Sequence, residues 1–259
     1  MPFGSERALI AAGRPSARFY ALYGAARMGD KIRASHVMTF VRAHLRPGAD
    51  VLDAGCSMGF YSLYIARHFP AGRILAIDVN REHLEQLESM AARLRLTNVT
   101  VRQCELEHLD SQQEFDLALC VDVLEHTADD QSAIDKIAHS LRPGGTLIVH
   151  VPQRFQRHIL SQPEDLDHWE HAREGYTPSE LSQVLDRAGL RIVASRNTFG
   201  IAGALGHDLD ECLQHVKPVW AALLPLILLL GRMDSAVTSR RGNGLLVVAQ
   251  RPGPEEMCQ

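Results

Sequence analysis

From Asp50 onward the chain alternates two kinds of segment: short apolar runs rich in β-branched residues, and longer stretches whose apolar side chains recur every three or four positions. The short runs predict strands at Asp50–Ala54, Arg73–Asp78, Val99–Cys104, Phe115–Val121, Thr146–Val151, Arg191–Ser195 and Leu245–Gln250. The longer ones predict helices over Met58–Phe69, Arg81–Leu94, Asp129–Leu141 and Pro178–Ala188, the last opened by Thr177 as N-cap and stopped by Gly189. Such alternation builds a parallel sheet covered by helices, so the expected class is α/β with seven mostly parallel strands and flanking helices.

Two further helices, Ser16–Arg27 and Lys31–Leu45, precede this core, and Pro47-Gly48 closes the second. Residues 1–47 therefore read as an N-terminal helical cap, and 48–195 with 244–251 as one core domain. Residues 196–243 form a helical insertion before the last strand, far longer than the usual connection of about 2 to 6 residues. Within it, KPVWAALLPLILLLGR at 217–232 is apolar on all sides, which suits core packing, a greasy ligand, a membrane surface or a dimer interface. Its longest apolar stretch, Val219–Leu230, is interrupted by Pro225 and falls short of the roughly 20 residues a spanning helix needs.

Composition narrows the function. With 27 Lys plus Arg against 31 Asp plus Glu in 259 residues, the net charge of −4 gives no cationic field for a phosphate backbone, so nucleic acid is not expected as a partner. Five scattered cysteines without a C-x-x-C pair suggest neither disulfides nor zinc, and charged residues interrupt the N-terminus where a secretory signal needs an apolar core. A cytoplasmic protein is expected.

The sharpest local signal is VLDAGCSMGFYSLYIA at 51–66, a strand, a glycine-bearing turn and a helix. Aligned as G-x-G-x-x-G on Gly55, a dinucleotide fingerprint demands glycine at 57 and 60, where Ser57 and Phe60 stand. Asp53, two residues before Gly55, would repel phosphates and attract an ammonium group. The next strand ends in Asp78, placed to accept hydrogen bonds from both hydroxyls of a ribose. Together these point to a nucleoside with a cationic appendage.

These residues resemble the class I S-adenosylmethionine-dependent methyltransferases, over about residues 34–151 with weaker continuation to the C-terminus. The resemblance implies a Rossmann-like fold and S-adenosylmethionine as cofactor. It places Asp53, Gly55, Cys56 and Gly59 around the methionine part, Asp78 on the ribose hydroxyls and Val79 against the adenine. In CELEHL at 104–109, Glu105 would accept from the exocyclic amine and the Leu106 amide would donate to the ring. Asp122, beyond the fourth strand, is assigned to the cofactor. Ser57 departs from the pattern, since many members carry a middle glycine there.

Methyl transfer to a hydroxyl or an acidic carbon needs a base, for which histidine has a suitable pKa. His126, at the carboxyl edge of the sheet in LEHT, is the first candidate, and the cluster EDLDHWEHAREGYTP at 164–178 adds His168, His171 and Tyr176 as acceptor-facing residues. His168 and His171 lack a third ligand fixed by spacing, so no metal is expected. The Asn/Asp-Pro-Pro-aromatic tetrapeptide of DNA and amide methylation is replaced here by Cys120, Val121, Asp122 and Val123. The sequence thus favours methylation of an O or C atom of a small, hydrophobic acceptor such as a lipid, isoprenoid or polyketide-like molecule. The alternatives are a non-catalytic cofactor-binding or membrane-apposed module and a protein methyltransferase, with 217–232 as the membrane or homodimer contact.

Overall fold

The computed structural model describes residues 27–157, 159–160 and 172–253. Seven strands form one sheet: β1 (Val51–Ala54), β2 (Ile74–Asp78), β3 (Val99–Gln103), β4 (Phe115–Val121), β5 (Leu141–Pro152), β6 (Arg191–Thr198) and β7 (Gly244–Gln250). Their order is β3-β2-β1-β4-β5-β7-β6, with β7 antiparallel to both neighbours and the other pairs parallel. The strand order reverses between β1 and β4, so the loops leaving their carboxyl ends diverge and open a crevice, the usual ligand position in such sheets. Every residue of β1 is buried, as a central parallel strand covered on both faces requires.

Seven α-helices accompany the sheet among the described residues: α1 (Met28–His44), α2 (Phe60–His68), α3 (Arg81–Arg93), α4 (Asp130–Ser140), α5 (Pro178–Arg187), α6 (Ile201–Leu213) and α7 (Lys217–Ala236). The caps read from the sequence hold. Thr177 Oγ1 accepts from the Glu180 amide at 3.3 Å while the Thr177 amide donates to Glu180 Oε2 at 2.8 Å, and Gly189 follows α5 at φ +71°. Helix α2 starts two residues later than predicted because the turn continues to Gly59, whose φ of +73° is not helical. Strand β6 runs on to Thr198 because β7 pairs with it along that length. The predicted helix at 16–27 lies outside the described residues apart from Arg27, the N-cap of α1, and the tail is described only to Gly253.

The insertion folds as the pair α6 and α7, which packs against α1. Met28 and Ile32 of α1 bury Ile227 of α7. At Gly231 a Cβ would sit 3.1 Å from Met28 Sδ, so glycine lets the two helices approach closely. A buried carboxylate joins three elements: Asp234 Oδ2 lies 2.9 Å from His36 Nε2 and accepts from the Phe199 amide, and Oδ1 accepts from Gly203.

Helix α7 corrects one expectation and narrows another. It is 20 residues long, extending the apolar stretch at both ends, and by length and composition it could cross a membrane. It is not a core helix either. Only Leu224, Ile227, Gly231 and Asp234 are buried, while Val219, Leu226, Leu229 and Met233 remain about half exposed along an i, i+3, i+4 stripe.

Candidate active site

The turn after β1 is built for close approach. Gly55 has φ +77°, and a Cβ there would lie 2.3 Å from Val123 Cγ2; Gly59 has φ +73°, and a Cβ would lie 2.2 Å from Leu87 Cδ1. Only glycine satisfies both the backbone and the space at these positions. The Gly55 and Cys56 amides both donate to the Ile77 carbonyl at 2.9 Å, which binds the turn to the end of β2. Ser57 adopts φ +47°, so the departure from glycine places a side chain in a left-handed conformation. Ser57→Gly should raise the unfolding free energy by about 0.5 kcal/mol, read from denaturant titration. A loss would show that the serine hydroxyl, 3.4 Å from His83 Nδ1, outweighs the backbone strain.

Asp78 is oriented by this turn. Its Oδ2 accepts from the Ser57 amide at 2.7 Å and its Oδ1 from the Asn80 amide at 2.8 Å, leaving each oxygen a free acceptor position. Beside it opens a cavity of about 370 Å³. The cavity brings together Gly55, Asp78, Val79, Glu105, Leu106 and His126. Val79 is 60% exposed, and Leu106 lines the cavity from the 3-10 turn Leu106–His108. The Glu105 carboxylate is exposed and pairs with His108 at 3.1 Å.

Three predicted residues stand behind this cavity. Asp53 is buried, and its Oδ2 accepts from both the amide (3.1 Å) and the hydroxyl (2.5 Å) of Ser62, so it fastens β1 to α2; burial pushes its carboxyl up to about 6. Cys56 is buried, its thiol pushed up chiefly by burial, and Gly59 faces Leu87.

On the other side of the crevice, Asp122 follows β4 at φ +51° and joins the sheet to the N-terminal helix. One oxygen pairs with Arg33 at 2.5 Å and the other with His150 Nδ1, while His150 Nε2 meets Thr198 Oγ1 at 2.8 Å. Burial alone would push Asp122 up, but Arg33 and His150 hold it below the usual carboxylate range. Both ring nitrogens of His150 are engaged, and burial lowers its pKa. A cavity of about 120 Å³ lies against Arg33, Asp122, His150 and His207. A larger chamber of about 740 Å³ lies next to it, with Phe199, Ala204 and Asn243 lining both.

Residues 45–189 match the family described as a methyltransferase domain, which is more than half of the chain. The chain belongs to this family, that of the class I S-adenosylmethionine-dependent methyltransferases. It is 30% identical over 171 residues to the ubiquinone biosynthesis O-methyltransferase of Xanthomonas axonopodis pv. citri, covering 60% of this chain and 68% of that protein. It is 28% identical over 129 residues to (S)-coclaurine N-methyltransferase of Papaver somniferum, covering 49% of this chain. The chain spans only 36% of the length of that relative. In solved structures the fold matches the [4+2]-cyclase SpnF, with TM-score 0.63, 19% identity and coverage of 96% and 95% of the two chains. It also matches phosphoethanolamine N-methyltransferase 2 of Haemonchus contortus in complex with S-adenosyl-L-methionine, with TM-score 0.62, 15% identity and coverage of 83% and 52%.

The cavity beside Asp78 fits this methyltransferase cofactor. It offers a carboxylate acceptor at the end of β2, apolar surfaces at Val79 and Leu106, and a glycine turn with no side chain in the way. The predicted base His126 lines this same cavity rather than the cavities beyond Asp122. Tyr176 lines none of these three cavities. It is buried, its hydroxyl donating to Asp130 Oδ2 at 2.8 Å with the Leu124 carbonyl 3.3 Å away, under an Arg173 guanidinium 5.1 Å from its ring. Arg173 also pairs with Asp130 at 2.6 Å, so this pair braces the 3-10 turn Leu124–His126. His168 and His171 lie outside the described residues.

Sequence reasoning missed Arg33, His150, His207 and Glu125. Glu125 is buried with Oε2 unpartnered; burial, reinforced by Asp122, pushes its carboxyl up to about 8. Because the folded value lies above the ordinary one, its stabilising contribution is complete below about pH 4.5 and is lost as pH rises through about 8. Relative to Glu125→Gln, the wild type should lose about 2 kcal/mol between about pH 5 and pH 6.5, read by urea denaturation of both chains. Parallel pH profiles would contradict this.

Proposed function

We propose that this protein transfers the methyl group of S-adenosylmethionine to an oxygen or carbon atom of a small, apolar acceptor held in the chamber beyond Asp122. The observation that carries the reading is the adjacency of the two outer cavities, which share part of their lining, and their position. They share Phe199, Ala204 and Asn243, and the inner one ends on Asp122, next in sequence to Val123 of the cofactor cavity. The similarity to ubiquinone biosynthesis O-methyltransferases supports an oxygen acceptor on an apolar body.

When bound, the cofactor supplies an electrophilic methyl on a sulfonium, displaced in line, so the chain's work is placement and exclusion of water. Asp78 holds the ribose and Val79 and Leu106 cover the base. Asp122, fixed by Arg33 and His150, presents a negative wall where the cationic centre meets the acceptor. His207 is the base we assign. Its ring lines the inner cavity edge-on to Phe199, centroids 5.9 Å apart, with Asp208 3.8 Å from Nδ1 to stabilise the imidazolium.

Incubating the protein with methyl-labelled S-adenosylmethionine and a cell extract, then separating organic and aqueous phases, tests this reading. Label should enter a small molecule of the organic phase, and His207→Ala should lower kcat while leaving cofactor affinity unchanged. Label confined to protein, or flotation with liposomes without any labelled product, would favour a protein methyltransferase or a membrane-apposed module instead.

A further inference from the structure

The outer chamber carries a charge pattern that methyl transfer does not require. Three arginines line it: Arg157 beyond the end of β5, and Arg240 and Arg241 in the loop that leads from α7 into β7. All three are exposed, and no carboxylate of the described residues lines the same chamber. Some arginines elsewhere are ion-paired, Arg73 with Glu114, Arg142 with Asp50 and Asp116, and Arg173 with Asp130, and what sets the chamber apart is three cations gathered on one cavity wall. The three at the chamber have no such partner among the described residues, although acidic residues outnumber basic ones in the chain as a whole.

The two stretches that carry them are clamped together. Asn243 Oδ1 accepts from the Arg157 amide at 2.8 Å, and Asn243 Nδ2 donates to the Arg157 carbonyl at 2.9 Å. A Cβ on Gly242 would lie 2.1 Å from the Thr198 carbonyl oxygen, so the loop is pressed onto β6. The unmatched cations thus project from a fixed rim, which lowers the ordering cost of gathering them on one anion. Beside them, Phe155 is 79% and Ile201 82% exposed, the most open large apolar side chains among the described residues. An apolar wall next to unmatched guanidinium groups is complementary to a molecule that is itself greasy along its length and anionic at one end.

We propose that Arg157, Arg240 and Arg241 bind the anionic head group, a phosphate or a carboxylate, of an amphiphilic acceptor. Its apolar body lies along Phe155 and Ile201, and its reactive end reaches inward past Phe199 toward Asp122. This deepens, and rests on, the reading of the chamber as the acceptor site.

Calorimetric titration of the full chain with n-decyl phosphate and n-decanol, both below their aggregation limits and without cofactor, tests the head-group site. The phosphate should bind about tenfold tighter than the alcohol at low salt, and the preference should shrink as salt screens the exposed rim. The double variant Arg240→Gln/Arg241→Gln should lose the preference while its decanol affinity and S-adenosylmethionine affinity stay unchanged. Equal affinity for the two probes in the wild type, or a preference that survives in the double variant, overturns the proposal.

Vesicles of phosphatidylcholine with and without phosphatidylglycerol separate the sources of the head group. Flotation with the anionic vesicles, lost in the double variant, assigns it to a bilayer lipid; decyl phosphate binding without flotation assigns it to a free amphiphile. Labelled transfer to a neutral apolar acceptor, undiminished in the double variant and without decyl phosphate preference in the wild type, would remove the anion site and leave the chamber reading standing. Decyl phosphate preference with all label recovered in protein would do the reverse.

Discussion

Asp78→Ala should bind S-adenosylmethionine at least about a hundredfold more weakly than the wild-type chain in calorimetric titration. The carboxylate is held by the amides of Ser57 and Asn80, and its remaining acceptor positions open on the cavity. Two hydrogen bonds from ribose hydroxyls to a charged acceptor are worth about 1.5 to 3 kcal/mol each, which sums to a loss of about 3 to 6 kcal/mol, or roughly two to four orders of magnitude. The same substitution frees two backbone amides of the turn, so part of the loss comes from a looser Ser57. Asp78→Asn separates the effects: it keeps the side-chain shape and one acceptor oxygen, and should fall between the wild type and the alanine variant. Unchanged affinity in Asp78→Ala would show that the nucleoside does not lie at the end of β2.

The second large effect is expected at Gly55. Alanine there combines a left-handed backbone, costing about 1 to 2 kcal/mol, with a Cβ placed 2.3 and 2.7 Å from the two methyl groups of Val123, an overpacking cost of about 1 to 3 kcal/mol. Gly55→Ala should therefore destabilise the fold by about 3 kcal/mol in urea denaturation and weaken cofactor binding, since Gly55 and Val123 both line the cavity. The two costs can be separated. Val123→Ala removes the clashing methyls without changing the glycine's φ, so the double variant should be less destabilised than the sum of the single ones by about 1 kcal/mol or more. Strict additivity would show that the clash is relieved by movement and that backbone strain alone sets the cost.

The cofactor half of the site was legible because it is local. Strand, glycine turn, helix and a second strand ending in an acid occupy one continuous stretch, and the residues at 53, 55, 59 and 78 are fixed by backbone geometry within it. Even there, spacing alone did not separate groups that face the cavity, such as Asp78 and Val79, from those that hold the turn from behind, such as Asp53 and Gly59. The proposed acceptor half was legible only at Asp122, from its place beyond the fourth strand, because the groups around it meet only in the folded chain. Arg33, Asp122, His150 and Thr198 come from four elements far apart in sequence, and no periodicity links them. Tyr176 shows the converse. Its place among histidines and an arginine suggested chemistry, yet its hydroxyl donates to Asp130 beside the Leu124 carbonyl, beneath the turn. The apolar run at 217–232 announced a contact surface without saying which face; Asp234 and His36 decide that by anchoring one side of α7 to the domain.

The most direct measurement is a crystal structure of the chain with S-adenosylhomocysteine, the demethylated cofactor, bound. Both ribose hydroxyls should lie within hydrogen-bond distance of Asp78, the adenine between Val79 and Leu106, and the sulfur should turn toward Asp122. A nucleoside lodged instead in the outer chamber beside Phe155 and Arg240, with Asp78 untouched, would contradict this placement.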